Sequence, residues 1–268
     1  FPAAYAETQA EYMASGKATE QEKLVAGCPE YAFNEYLQIG LEQGLVGLAL
    51  FIGWLGLLFY KGIKNKRYAC CGGLMSLAIF AFSSYPLQLP EFWVVLIFLG
   101  VMSVTPDKDE IRENQAESNG HRWGKQIFFM GIAILGIGLF WMQKDHYKAY
   151  QQWNKAQMFY NNKAYEAALE VYEPLYPLLK HKPEFLFEAA QSLSKTGQYE
   201  KANEYLERAV LLSSDPMLYY VMAKNEQCLG EYRQAEKHLL HAIDILPERI
   251  YPYYLLMNLY TEPSYFQP

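Results

Sequence analysis

The chain has 268 residues, 51% of them hydrophobic and 16% aromatic, and a formal net charge of −6. That length suffices for two domains, and a modest, mixed charge with no basic stripe excludes nucleic acid as a partner. The mean hydropathy of −0.13 averages a strongly apolar stretch, roughly residues 45–142, with a polar stretch rich in Tyr, Glu and Lys after it, so the two halves are expected in different solvents.

The chain opens Phe1-Pro2-Ala3-Ala4 without Met, a charged leader or an apolar leader, so residue 1 is expected to be an internal position of a longer protein whose earlier membrane helices precede it. The cysteines are Cys28, Cys70, Cys71 and Cys228. No metal-ligand spacing links them, Cys70 and Cys71 read as small apolar residues, and a Cys28 to Cys228 disulfide is conceivable only in an oxidising compartment. Residues 31–48 begin a helix. At 100° per residue, Glu35, Gln38 and Glu42 fall within about 60° of one another. This polar stripe is either a surface that meets a lipid headgroup or an ordinary solvated helix end.

Apolar runs at 45–60, 68–85, 92–104 and 127–142 predict about four transmembrane helices. The third is short enough to read alternatively as re-entrant, and Pro86 and Pro90 before it suit a tight turn. Lys61, Lys64, Lys66 and Arg67 place the first loop in the cytoplasm. The turn at 83–91 has no Lys or Arg and is expected outside, and Arg122 and Lys125 mark a cytoplasmic loop at 105–126. Residues 1–43 and the region after 145 then share the outer, periplasmic side. Trp93, Trp123 and Trp141 suit interfacial anchors, while Gly40 and Gly44 have a spacing that permits close helix approach.

Beyond residue 145 one pattern recurs: Lys163-Ala-Tyr165-x-x-Ala168, Gly197-Gln-Tyr199-x-x-Ala202 and Gly230-Glu-Tyr232-x-x-Ala235, at intervals of 34 and 33 residues. Ala156, Ala190 and Ala223 precede these turns by seven positions, and Ala209 and Ala242 follow the second-helix alanines by seven. This is the period of tetratricopeptide repeats, paired antiparallel helices that stack into a solenoid. Residues 250–260 resemble the first helix of a fourth unit. The tyrosines at 219, 220, 251, 253 and 254 either pack between helices or serve recognition of a protein or peptide partner. His238 and His241, three apart with no third ligand, read as a solvated face rather than a metal site. The expected fold is all-α: polytopic transmembrane helices followed by a tetratricopeptide solenoid. Its parts are a loop segment at 1–43, a membrane domain at 44–142 and a repeat domain at 146–262.

The stretch Asn34, Tyr36, Leu37, Glu42, Gly44, Gly47 and Leu48 resembles the O-antigen ligase and polymerase family, whose members carry Asn-x-Tyr-Leu and then Glu-x-Gly-x-x-Gly-Leu leading into a membrane helix. The Pro86-Leu87-Gln88-Leu89-Pro90 turn is similar to that family's C-terminal region. Phe1-Pro-Ala-Ala-Tyr5 with Gln9-Ala10 and Tyr12 is similar to versions with appended repeats. The resemblance covers residues 1 to about 104. It implies metal-independent and cofactor-free transfer of a glycan from a polyprenyl-pyrophosphate carrier to an acceptor hydroxyl, at the periplasmic face of a bacterial inner membrane.

Such transfer needs a base near the acceptor hydroxyl and donors around the departing pyrophosphate. The family His before the Asn is replaced here by Phe33, which cannot take a proton, so Glu35 and Glu42 become the candidate catalytic bases. Asn34, Tyr36 and Gln38 become the candidate substrate-binding groups. Residues 1–43 hold no Arg, so the pyrophosphate-contacting arginines are expected upstream. The chain alone is therefore expected to be inactive, and turnover in a glycan-transfer assay would refute this. The competing reading is a membrane-anchored tetratricopeptide scaffold for an envelope assembly, with no catalysis.

Overall fold

The computed structural model describes residues 1–105, 130–131, 134–138, 141 and 143–266. Every described element is helical, and the chain divides into two compact units: residues 31–138, and residues 2–30 together with 139–268. The fourth expected membrane segment, 127–142, and the loop 105–126 lie largely outside the described residues.

In the first unit, α3 (Glu35–Lys64), α4 (Tyr68–Ser83) and α5 (Pro90–Val104) form a bundle. Asn34 caps α3 by accepting a hydrogen bond from the Leu37 N–H at 3.0 Å, the standard remedy for an orphaned helix-start donor. Pro90 occupies the first turn of α5, where its missing N–H costs nothing. A 3-10 turn at Pro86–Gln88 joins α4 to α5. The bundle interior consists of Leu58, Leu74, Leu77, Leu87 and Leu96, with Phe51, Leu55, Phe59, Phe92 and Leu99 against it.

Its outer surface is apolar as well. Leu45 is 81% exposed, and Val46, Leu50, Ile52, Leu57, Ile79, Phe82, Val94 and Phe98 are also exposed. Among the described residues one helix, Glu35–Lys64, is long and apolar enough to cross a membrane. At 1.5 Å per residue the 16-residue α4 and 15-residue α5 reach only about 24 and 22 Å, short of the ~30 Å hydrocarbon layer.

Gly44 does not act as a packing seam. Its φ of 73° and ψ of 179° break α3, a conformation essentially reserved for glycine, so residues 35–43 form a separate polar segment ahead of the apolar residues 45–64. Close helix approach occurs elsewhere. A Cβ at Gly62 would stand 2.6 Å from Cys71 Sγ and 3.4 Å from Ser103 Cβ, and one at Gly73 would meet Leu99 at 3.0 Å.

The second unit contains α6 (Lys144–Asn161), α7 (Tyr165–Leu179), α8 (Pro183–Lys195), α9 (Tyr199–Val210), α10 (Met217–Leu229), α11 (Tyr232–Ile245) and α12 (Ile250–Thr261). These form three helix pairs and the first helix of a fourth. The repeat alanines Ala156, Ala168, Ala190, Ala202, Ala209, Ala235 and Ala242 are completely buried, because only a methyl fits where the two axes cross closely. The three intra-repeat turns share one backbone device, a left-handed residue: Lys163 at φ 61°, Gly197 at 81° and Gly230 at 82°. Glycine takes this conformation freely and lysine does not. Tyr172, Tyr205 and Tyr220 are buried among the helices, whereas Tyr251, Tyr253 and Tyr254 are exposed.

The same unit incorporates the N-terminal residues. Helix α1 (Pro2–Ala14) lies against α11, with Ala6 and Ala10 on Ile245 and Leu246. Gln9 Nε2 donates to the carbonyls of Ile245 at 2.7 Å and Gly27 at 3.2 Å. A capping box starts α2 (Glu20–Val25), Thr19 and Glu22 satisfying each other's backbone. The expected 1–43 segment is thus split: residues 2–30 join the repeats, and the remainder joins the apolar helices. His238 and His241 are partly solvated, their side chains 25% and 26% exposed, and each faces a carboxylate. His238 Nδ1 lies 2.9 Å from Glu226 Oε2 and His241 Nε2 lies 3.5 Å from Glu7 Oε2, and the Tyr219 ring packs on both. Among the described residues no group of three His, Cys, Asp or Glu could hold a metal. All four cysteines are free thiols.

Candidate functional site

The polar segment 35–43 carries the residues that sequence reasoning selected, and its N-cap sets their arrangement. While Asn34 Oδ1 starts the helix, Asn34 Nδ2 donates to the Phe82 carbonyl at 2.9 Å, fixing the helix start to the end of α4. Glu35 is next, 1% exposed. Its Oε1 accepts the Leu87 N–H at 2.7 Å and its Oε2 accepts Gln88 Nε2 at 3.5 Å. Both are donors of the 3-10 turn, and the Leu87 N–H, on a buried residue, would otherwise be left unsatisfied. Trp93 Nε1 donates to the Leu87 carbonyl at 2.6 Å from the other side, so this indole braces the turn.

Tyr36 donates its hydroxyl to the Ala78 carbonyl at 3.0 Å and sets its ring beside Phe51 and Phe82. Gln38 is also 1% exposed. Its Oε1 accepts the Ala32 N–H at 2.8 Å, and its amide donates to Glu42 Oε1. The stripe is therefore neither wholly solvated nor wholly lipid-facing: Glu35 and Gln38 point inward, and Glu42 alone is exposed.

Asn34, Glu35, Tyr36 and Gln38 all use their polar atoms on the protein's own backbone or side chains. As a general base Glu35 lacks access, whereas Glu42 keeps a solvent-facing carboxylate with one amide donor. Chemically, the segment offers one accessible carboxylate on a rigid platform, which is what proton removal from an acceptor hydroxyl requires.

A feature not foreseen from the sequence adjoins it. Tyr31 stacks on Tyr85 at 5.7 Å and 29°, and Phe33 meets the same ring edge-on at 5.4 Å. Phe33 is 67% exposed. The signal lay in the aromatics flanking Asn34 and Pro86, but only the fold shows that they share a surface.

Residues 161–242 match the protein family described as "Anaphase-promoting complex, cyclosome, subunit 3". Among solved structures the chain is similar to the Yersinia enterocolitica type III secretion chaperone SycD in complex with a peptide of the translocator YopD, at 20% identity over 42% of this chain and 86% of that one, with a TM-score of 0.37. A second structure of the Yersinia enterocolitica type III secretion translocator chaperone SycD matches at 20% identity over 42% of this chain and 78% of that one, TM-score 0.37. PcrH in complex with the chaperone binding region of PopD matches at 16% identity over 42% and 86%, TM-score 0.37. No curated protein matches. The family match falls on the repeats themselves, and with the helix pairs, the buried alanines and the 34- and 33-residue intervals it makes the C-terminal half a tetratricopeptide-type repeat domain.

Proposed function

We propose that this chain is the C-terminal part of an O-antigen ligase-like glycosyltransferase, moving a glycan from a polyprenyl-pyrophosphate carrier to an acceptor hydroxyl at the outer face of a bacterial inner membrane. The observation that carries this reading is the Glu35 clamp. The two stretches whose sequences resemble the family, Asn34–Leu48 and Pro86–Pro90, are 40 or so positions apart in the chain, and the Glu35 carboxylate joins them through the Leu87 N–H. Glu42 is the base in this reading. Asn34, Glu35, Tyr36 and Gln38 position it and take no direct part in substrate binding. The repeats recruit a protein or peptide partner.

Membrane placement draws support from the apolar outer surface of the bundle, since a surface of this kind in water would drive association. Sidedness draws support from the second unit. Residues 2–30 precede the apolar run and the repeats follow it, yet they pack together. Two segments in contact occupy one compartment, so the number of crossings between them is even. In this reading the three apolar helices and the 127–142 stretch make four crossings, an even number, and the Lys/Arg-rich loop at 61–67 favours the periplasmic side for the packed unit.

Deleting the full-length gene and analysing lipopolysaccharide, capsule and glycoprotein glycans tests the reading, and Glu42→Gln tests the site. Loss of a general base costs ~10²–10⁴-fold in rate, so transfer by E42Q at normal expression should fall by at least about 100-fold. Unchanged transfer removes Glu42 from the mechanism. A second reading, a non-catalytic membrane-anchored scaffold, is favoured by one observation: Phe33 stands where the family has its His, and four of the five selected polar groups are already engaged within the fold. Intact surface glycans in the deletion strain would select it.

A further inference from the structure

A hollow of about 510 Å³ lies within the second unit, where the end of the N-terminal segment meets the loop between α9 and α10 and the start of α12. Glu30 comes from the N-terminal segment, and Ser213, Asp215, Tyr220, Arg249 and Tyr251 come from the repeats, so the hollow is complete only when residues 2–30 are docked. Ser214 Oγ fastens the two walls by donating to the Pro29 carbonyl at 3.4 Å.

The charged groups around the hollow have unused bonding capacity. The Asp215 side chain accepts the Met217 N–H at 2.9 Å through Oδ1 alone. Ser213 Oγ accepts the Asp215 N–H at 3.1 Å, which leaves its O–H free to donate. Among the described residues, neither the Glu30 carboxylate nor the Arg249 guanidinium makes a hydrogen bond or an ion pair, and all three charged residues are exposed. Tyr251 is half exposed, set edge-on to the buried Tyr220 ring at 5.4 Å and nearly parallel to Tyr254 at 6.5 Å. A flat aromatic face therefore borders the polar groups.

Several ligand classes fit poorly. Two carboxylates to one guanidinium disfavour a phosphate, and no trio of metal-ligating groups is present among the described residues. Cys28 also lines the hollow, but burial and the nearby Asp215 push its thiol up to about 11, against the opposing pull of Arg249. It stays protonated at neutral pH and is no nucleophile. What matches is a ligand that both donates and accepts at closely spaced hydroxyls and offers a flat C–H face to a ring. Carboxylates accept from vicinal hydroxyls, the guanidinium and the serine hydroxyl donate to ring and hydroxyl oxygens, and Tyr251 covers the face.

We propose that this seam hollow binds a neutral saccharide, one or two sugar rings long, and that docking of residues 2–30 completes the site. With the transfer reading above as its basis, the saccharide is part of the acceptor or of the glycan in transit, held by the repeat unit.

The test uses the full chain in lipid nanodiscs, with saturation-transfer NMR and titration of four neutral disaccharides: maltose, cellobiose, lactose and chitobiose. Triglycine serves as a zwitterionic peptide control. At least one disaccharide should bind at or below ~10 mM, and Glu30→Gln and Arg249→Gln should each weaken it about tenfold, as expected when a charged hydrogen-bond partner is lost. Both side chains are exposed and unbonded, so neither substitution disturbs folding, and circular dichroism checks this. The proposal is overturned if no disaccharide binds, if binding survives both substitutions, or if triglycine binds at these residues and the sugars do not. With transfer read on the full-length protein, disaccharide binding that persists in E42Q while transfer is lost, or transfer that persists in E30Q while binding is lost, separates failure of one reading from failure of the other.

Discussion

The two units solve burial in opposite ways. In the repeat unit the interior is mostly alanines, leucines and aromatic rings, with Ser192, Asn225 and Glu226 buried among them. In the apolar unit two of the most deeply buried side chains are Glu35 and Gln38, while leucines, valines and phenylalanines cover the outside. The contrast teaches where each unit derives its specificity. Repeat geometry is set by small residues at helix crossings, whereas in the apolar bundle the start of α3 is tied to the 3-10 turn and to the end of α4 by a few hydrogen bonds.

The sharpest way to break that contrast is Glu35→Ala, which strands the buried Leu87 N–H and removes a charged acceptor. The cost should be about 3 kcal/mol or more, read as a large drop in the thermal midpoint of the detergent-solubilised chain, while the exposed Glu42→Gln should leave the midpoint within ~0.5 kcal/mol. Equal effects would mean that the clamp does not hold the bundle. Next in size is Gly44→Ala. Its φ of 73° with ψ of 179° excludes a Cβ-bearing residue at a cost of about 1–3 kcal/mol, and the same readout should show it. A neutral result would mean that the helix runs straight through.

In the repeat unit the expected change has the opposite sign. Lys163 holds a left-handed turn that the other repeats give to glycine, so Lys163→Gly should stabilise by about 1 kcal/mol, raising the denaturant midpoint. Destabilisation would show that the lysine has a contact more valuable than the strain it causes. The smallest effect concerns the terminal helix. Glu236 accepts hydrogen bonds from the Tyr260 and Tyr265 hydroxyls, which lower its carboxyl below the ordinary value of 4.5. A depressed carboxyl stabilises above its unfolded value and loses that contribution as pH falls through the folded one. Amide exchange in α12 should therefore quicken modestly below pH ~4.5, and Glu236→Gln should abolish that dependence.

The repeats were legible in the sequence because their determinants are local and periodic: an alanine at a crossing and a glycine at a turn recur wherever the geometry recurs. Lys163 could be placed in the same frame even though its residue type departs from it. The apolar helices were legible as runs, but the role of Glu35 was not. Its partner is the backbone of a turn more than 50 positions away, and no periodicity announces such a bond. For the same reason Gly44 looked like a packing glycine when its dihedral angles make it a break. The docking of α1 on α11 was hidden as well, since Ala6 and Ala10 form an unremarkable small-residue face until Ile245 and Leu246 are beside them.

That docking is also where the proposed arrangement is most exposed to test. Single-cysteine versions of the full-length protein, one retaining the exposed Cys228 and one carrying Thr8→Cys, can be treated in intact cells with a thiol reagent that does not cross membranes. Equal labelling of both from the periplasmic side is the predicted result. Labelling of one but not the other until the membrane is opened would contradict it, because segments on opposite sides of a bilayer cannot pack together.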